Sequence, residues 1–130
     1  MRRRLWRQYF EAIEQTIDAL AIAYVEQFEP VVLTSTRANL KLRVRFYNKY
    51  LLSVGEALLL VDTTISKIDY RYHFQNEDNN LIFRYDSTPH FPSISSFPHH
   101  KHLPNDVVAT HQPDIFEVFR EVSDFLDVEK

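Results

Sequence analysis

Alternation of apolar and polar residues is the feature of this chain that most restricts its fold. In LKLRVRFY, residues 40–47, leucine, valine and phenylalanine alternate with lysine, arginine and tyrosine. Successive side chains of a β-strand point to opposite faces, so the pattern predicts a strand with one buried and one basic face. Three more strands are predicted at residues 50–60, 66–75 and 81–86.

Short polar segments connect the predicted strands. Asn48-Lys49 is typical of a turn, and NEDNN, residues 76–80, has the composition of a hairpin loop. Strands joined by such short connections pair with their neighbours in the sequence, so we predict a four-stranded antiparallel meander.

The aromatic residues of the last two predicted strands set their register. Tyr72 placed opposite Phe83 keeps the aromatic side chains on the buried face. The same register places Arg71 opposite Arg84 on the other face, which also carries His73. Two facing arginines repel each other, so this arrangement requires an anion or flanking carboxylates between them.

Apolar residues at helical spacing occur towards both ends of the chain. Between residues 5 and 28 they recur every three or four positions, at Trp6, Phe10, Ile13, Ile17, Leu20 and Tyr24. This spacing predicts an amphipathic helix that ends by about Glu29, because Pro30 disfavours the helical conformation in the residue before it. A second amphipathic helix is predicted to start at Pro113.

These elements predict one α+β domain over residues 1–130. Its expected order is an N-terminal amphipathic helix, a four-stranded antiparallel meander, an ordered His/Pro-rich loop over residues 87–102 and a C-terminal helix. No apolar run approaches the ~20 residues that a membrane span needs, and cysteine is absent. We therefore expect a cytoplasmic protein without membrane association, disulfides or a thiolate nucleophile.

The segment that joins the last predicted strand to the C-terminal helix carries the residues most suited to chemistry. FRYDSTPHFPSISSFPHHKH, residues 83–102, holds four of the six histidines and three of the six prolines. Cleavage of RNA by its own 2′-OH requires a base, an acid and cations that stabilise the transition state. Histidine and arginine fit these tasks, so the segment favours a metal-independent ribonuclease.

We predict base and acid roles for His73 and His100, and a grip on the scissile phosphate by Arg71 and Arg84. Lys101 would add positive charge, and Asp86 would hold an arginine or a histidine in place. The expected substrate-binding residues are Tyr72, Tyr85, His90, His99 and His102.

Two other activities fit the same residues. Histidines close to Asp86 are suitable ligands for a transition metal, so a metal-dependent nuclease is one alternative. The familiar helical His-x₃-His spacing is absent, however, and we assign no metal and no cofactor. The second alternative is a non-enzymatic inhibitor that binds a host complex through its basic, aromatic surface.

Four short motifs carry a family resemblance. YRYHFQ (70–75), IFRYD (82–86), PHFP (89–92) and FPHHKH (97–102) resemble the TumE-like family, the toxin halves of bacterial two-gene toxin–antitoxin modules. The resemblance implies a growth-inhibiting toxin that is neutralised by a cognate antitoxin. RNA is then the expected substrate of the possible endoribonuclease. Apolar residues beside the main stripe of the N-terminal helix suggest a homodimer or an antitoxin groove.

Overall fold

A sheet of consecutive antiparallel strands, with one helix before it and one after it, makes up the described residues 1–87 and 98–129 of the computed structural model. The elements in chain order are α1 (Arg2–Asp18), β1 (Ala23–Val32), β2 (Arg37–Phe46), β3 (Tyr50–Val61), β4 (Thr64–Gln75), β5 (Leu81–Asp86), β6 (His100–Leu103), β7 (Asp106–Ala109) and α2 (Ile115–Glu129). Neighbours in the sequence are neighbours in the sheet. The α+β character agrees with the prediction, whereas the four-stranded meander is wrong because the sheet has seven strands.

The N-terminal helix is shorter than predicted, and the residues after it form an additional strand. α1 ends at Asp18, and β1 pairs with β2. The segment 23–32 is rich in valine and aromatic residues, which favour strands. Pro30 is tolerated because β1 is an edge strand, where a missing backbone N–H need not break a ladder on its outer side.

The predicted His/Pro-rich loop also contains a strand. His100–Leu103 forms β6, which pairs with β5, and a turn at Pro104-Asn105 leads into β7. Four alternating residues are too few to stand out from a polar loop in the sequence. Residues 88–97, the rest of this segment, lie outside the described part of the chain.

The register of β4 and β5 differs from the prediction by two residues. Tyr72 lies opposite Tyr85, which preserves the predicted aromatic face. Arg71 lies opposite Asp86 rather than Arg84, so the prediction of two facing arginines is wrong. A two-residue slip keeps every side chain on its face, so burial alone does not determine the register of the two strands.

Both helices pack on one face of the sheet and form a continuous apolar core with it. We call this the helix-covered face and the opposite one the open face. The buried helix residues are Trp6, Phe10, Ile13 and Ile17 from α1, and Ile115, Val118, Phe119, Val122 and Leu126 from α2. Alternate residues of β2 complete the core from below, in agreement with the predicted buried face of that strand.

A buried carboxylate joins α1 to the sheet. Glu56 on β3 is only 4% exposed and accepts hydrogen bonds from Tyr9 Oη of α1, at 2.6 Å, and from Tyr72 Oη of β4. Lys67 Nζ donates to Tyr72 Oη at 2.9 Å. A β-bulge opposite Ala57 and Leu58 shifts the alternation of β4, so that Lys67 rather than Ile68 faces the core. Burial raises the pKa of Glu56 and lowers that of Lys67.

The raised pKa of Glu56 predicts a pH-dependent difference in stability between the wild type and Glu56→Gln. The folded chain resists ionisation of Glu56, whereas the unfolded chain ionises it near its usual value of 4.5. As the pH rises above this value, the free energy of unfolding of the wild type should therefore fall relative to that of the variant. Urea unfolding at acidic and neutral pH measures this difference. Glu14→Gln, at an exposed position of α1, is the control. Parallel pH curves for the wild type and Glu56→Gln would contradict the prediction.

Candidate functional site on the open face

Two rows of paired residues cross the open face of the sheet. Directly paired residues of antiparallel strands point to the same side, so the register determines the members of each row. The first row runs Gln27, Arg43, Ser53, His73, Arg84 and His102. The second row runs Glu29, Lys41, Gly55, Arg71, Asp86 and His100. The face is therefore predominantly cationic, with imidazoles concentrated on β4 and β6.

Asp86 is the centre of the polar contacts at one end of these rows. Its carboxylate is almost fully buried and lies 3.2 Å from Arg84 Nε and 2.8 Å from His100 Nε2. His102 Nε2 lies 3.7 Å from the same carboxylate. One acidic group thus holds an arginine of β5 and two histidines of β6.

The two histidines of β6 on this face differ in their access to solvent. His100 is 1% exposed, and its Nδ1 donates a hydrogen bond to the Pro98 carbonyl at 2.9 Å while Nε2 faces Asp86. The ring of His102 contacts His100 edge-on, with 4.8 Å between centroids, and keeps 15% of its side chain exposed. His100 is therefore engaged with the protein through both nitrogens, and His102 is the one that reaches the surface.

His73 lies opposite Arg84, in surroundings that disfavour its charged form. Its Nε2 lies 3.0 Å from Gln75 Oε1, and the carboxamide oxygen can only accept, so Nε2 carries the proton. Nδ1 is then the unprotonated nitrogen. Burial, with the charges of Arg71 and Arg84, lowers the pKa of His73 below its usual range. An imidazole in this state is suited to accept a proton at neutral pH.

The same end of the open face has the donor set of a metal site. Ligand atoms of Asp86, His100 and His102 lie within 4.8 Å of one another. Two imidazoles and one carboxylate suit a transition metal such as iron or zinc. The guanidinium of Arg84, however, contacts the same carboxylate and opposes a second cation there. Among the described residues, the set therefore fits a metal by ligand type and is disfavoured by charge.

Three of the residues predicted from the sequence point to the helix-covered face. Tyr72 is fully buried against Glu56. Tyr85 Oη and Lys101 Nζ both bind Glu121 of α2, at 2.6 and 2.7 Å. The sheet separates these side chains from the open-face groups, because their positions alternate with Arg71, Arg84 and His102 along the strands.

Two predicted substrate-binding residues remain. His99 lies apart from the open-face groups, and His90 lies outside the described residues. His99 Nδ1 forms a hydrogen bond with Tyr70 Oη at 2.8 Å, and the two rings stack. Because Tyr70 belongs to the buried core, His99 is oriented towards the helix-covered face. His90 falls within residues 88–97 and is therefore not among the described residues.

Sequence reasoning did not single out the groups that continue the rows beyond His73. Lys41 and Arg43 of β2 lie beside Gly55 and Ser53 of β3 on the open face. Two signals were available: the basic face predicted for LKLRVRFY, and a lone glycine inside a strand, which often marks close approach of a ligand or backbone. They became informative only once the register placed them next to Arg71.

Comparison with known proteins defines the class. A small α+β fold with a cationic open face is compatible with many activities, and fold alone does not choose among them. Residues 10–130 match the family described as Toxin TumE, and the chain belongs to this toxin family. It is thus similar to the toxin components of toxin–antitoxin modules, which implies an antitoxin partner. No curated protein and no solved structure matches the chain. Among the described residues, no helix has the length and apolar character to cross a membrane.

Proposed function

We propose that this toxin is a metal-independent endoribonuclease whose active site is on the open face. The observation that carries the proposal is the spatial order of three paired residues on adjacent strands: His73, Arg84 and His102. This order places a guanidinium between two imidazoles. Neighbouring strands are ~4.8 Å apart, so the histidine backbones are separated by about 10 Å. Arg84 lies between them, so a phosphodiester bound to its guanidinium would lie near both imidazoles. Such a toxin would meet its RNA substrate in the cytoplasm.

The reaction assigns one proton transfer to each histidine. His73 Nδ1, which is buried in the substrate-free protein, must become accessible when RNA binds. It then takes the proton of the 2′-OH, and the 2′ oxygen attacks phosphorus. The bond from phosphorus to the 5′ oxygen breaks, and protonated His102 gives its proton to that oxygen. The products are a 2′,3′-cyclic phosphate and a 5′-hydroxyl end. Arg84 and Arg71 stabilise the charge that grows on the non-bridging oxygens.

His100 and Asp86 act as positioning residues in this proposal. We assign the acid to His102 rather than to His100, since His100 is buried and has a protein partner for each ring nitrogen. Asp86 fixes the guanidinium of Arg84, which must point its donors at the phosphate.

A metal-dependent nuclease is the second candidate, favoured by the proximity of Asp86, His100 and His102. A bound divalent ion would polarise the phosphate and activate water. In that case Asp86 and the two histidines would be ligands, and His73 would lie beyond the metal-binding group. The two candidates therefore differ in the role of His73 and in their response to chelators.

Substitution of the proposed acid and base tests the ribonuclease. His73→Ala and His102→Ala should each lower the single-turnover rate of cleavage of purified RNA by about 10²–10⁴, the usual contribution of a general acid or base. His111→Ala is the matched control, because His111 is exposed and binds Glu117 of α2. Unfolding midpoints of all variants separate lost chemistry from lost structure. Growth inhibition by the wild type without any cleavage would instead identify a non-enzymatic inhibitor.

The pH dependence of cleavage tests the state of His73. A base must be deprotonated, and the pKa of His73 is lowered by burial. The acidic limb of the pH–rate profile should therefore lie below 6.5, the ordinary histidine value, and activity should persist at neutral pH. The profile should be the same with and without EDTA. Activity that is lost in EDTA and restored by one divalent ion would reject this proposal in favour of the metal-dependent nuclease.

A further inference from the structure

We infer that the pocket above Gly55 binds a second phosphate of the same RNA strand, an inference that rests on the proposed function. The pocket lies on the open face, has a volume of about 270 Å³, and borders the proposed active site. Its walls and floor include Gln27, Lys41, Arg43, Ser53, Gly55 and Arg71. None of the reaction steps above uses the part of it formed by β2 and β3.

The charge of this pocket suits a phosphate. Lys41, Arg43 and Arg71 line it, and no carboxylate does so among the described residues. Within 1–87 and 98–129, neither Lys41 nor Arg71 has an ion pair within 4.0 Å. Arg43 has only a 3.6 Å contact with Glu26, whose closer contact is with another arginine. Three cations that line one pocket attract an anionic backbone.

Gly55 supplies space rather than backbone freedom. No glycine has a positive φ, so the strand conformation at residue 55 does not require glycine. An added Cβ would meet no atom within 4 Å, so close packing does not require it either. Glycine inside a strand is destabilising relative to alanine. The missing side chain leaves an opening between the cations of β2 and Arg71.

The second row connects this pocket to the proposed active site. Gly55 pairs with Arg71, and Arg71 pairs with Asp86, so the pocket and the Arg84–Asp86 contact are two strands apart. Two strand spacings are about 10 Å, a distance that a few nucleotides of a single strand can span. A single strand that crosses the sheet would place one phosphate at Arg84 and another above Gly55.

Binding of a fluorescent single-stranded DNA oligonucleotide tests the pocket separately from catalysis, because DNA lacks the 2′-OH that the proposed cleavage requires. Lys41→Ala should weaken binding and reduce the slope of log affinity against log salt by about 0.7, the value for one lost single-strand phosphate contact. Gly55→Glu should weaken binding more, because it fills the opening with a negative charge. Arg120→Ala, at an exposed position of α2, is the control.

The results separate the pocket from the proposed reaction. Wild-type affinity and salt slope in both Lys41→Ala and Gly55→Glu would overturn the second phosphate site, even if RNA is cleaved. Weakened binding in both variants would support it, even if no RNA is cleaved. The effect of Lys41→Ala should vanish with a dinucleoside monophosphate, because its single phosphate cannot occupy both the Arg84 position and the pocket. An equal loss with the dinucleoside monophosphate would also overturn the site.

We also propose that a groove between α1 and β1 binds an acidic, apolar segment of the antitoxin. This groove has a volume of about 900 Å³ and combines apolar with basic residues. Met1 and Val32 supply exposed apolar surface above the buried Trp6 and Phe10. Three arginines surround it: Arg2, Arg3 and Arg7. It lies beside the exposed edge of the sheet, where residues 31–33 are about half exposed.

Charge favours an antitoxin segment over a second copy of this chain. A symmetric homodimer would bring the same three arginines of each copy to one interface, where they repel. A segment with acidic residues around an apolar anchor complements them, and an extended segment could add a strand to β1. This groove is separated from the open face by the sheet, so it is independent of the proposed phosphate sites.

Co-purification with the product of the adjacent open reading frame tests this groove. Arg3→Glu and Val32→Asp should each lower the affinity for that protein by at least about tenfold, within the range for residues central to an interface. Arg120→Glu, on α2, is the matched charge-reversal control. Unchanged affinity in both groove variants, or a wild-type homodimer that both variants dissociate, would overturn the antitoxin assignment.

Discussion

The separation of the two sheet faces underlies every other feature of this protein. Alternate residues of β2 and β3 are buried beneath α1 and α2, so the residues between them must point to the other side. Burial of the apolar set drives folding, and the charged set is carried to the open face as a geometric consequence.

Polar residues on the helix-covered face hold the layers together instead. Glu56 links α1 to two strands, and Glu121 of α2 binds Tyr85 and Lys101. Each of these carboxylates meets hydroxyl or ammonium donors, which is the condition for burying a charge or a carboxylic acid at acceptable cost. Tyr72, Tyr85 and Lys101 thus serve packing and orientation, although their residue types and sequence positions also suit RNA binding.

Asp86 organises the open face in a similar way. It is the last residue of β5, and its contacts with Arg84 and with His100 join β5 to the short strand β6. β6 has only four residues, so its position depends strongly on such side-chain contacts. A carboxylate that fixes both an arginine and the imidazoles beside it would preorganise the proposed site, as electrostatic catalysis requires.

The sequence by itself determined the parity of the strands, the apolar stripes of both helices and membership of the toxin family. Parity follows from local alternation, because burial distinguishes odd from even positions. Only the tertiary structure decided that Arg71 lies opposite Asp86, since a slip of two residues leaves the burial pattern unchanged. It also decided that residues 23–32 and 100–103 are strands. Each is stabilised by hydrogen bonds to an adjacent strand, β1 to β2 and β6 to β5, and local periodicity does not show this pairing. The pocket above Gly55 depends on the pairing of β3 with β2 and with β4, which places Lys41 and Arg71 on either side of Gly55.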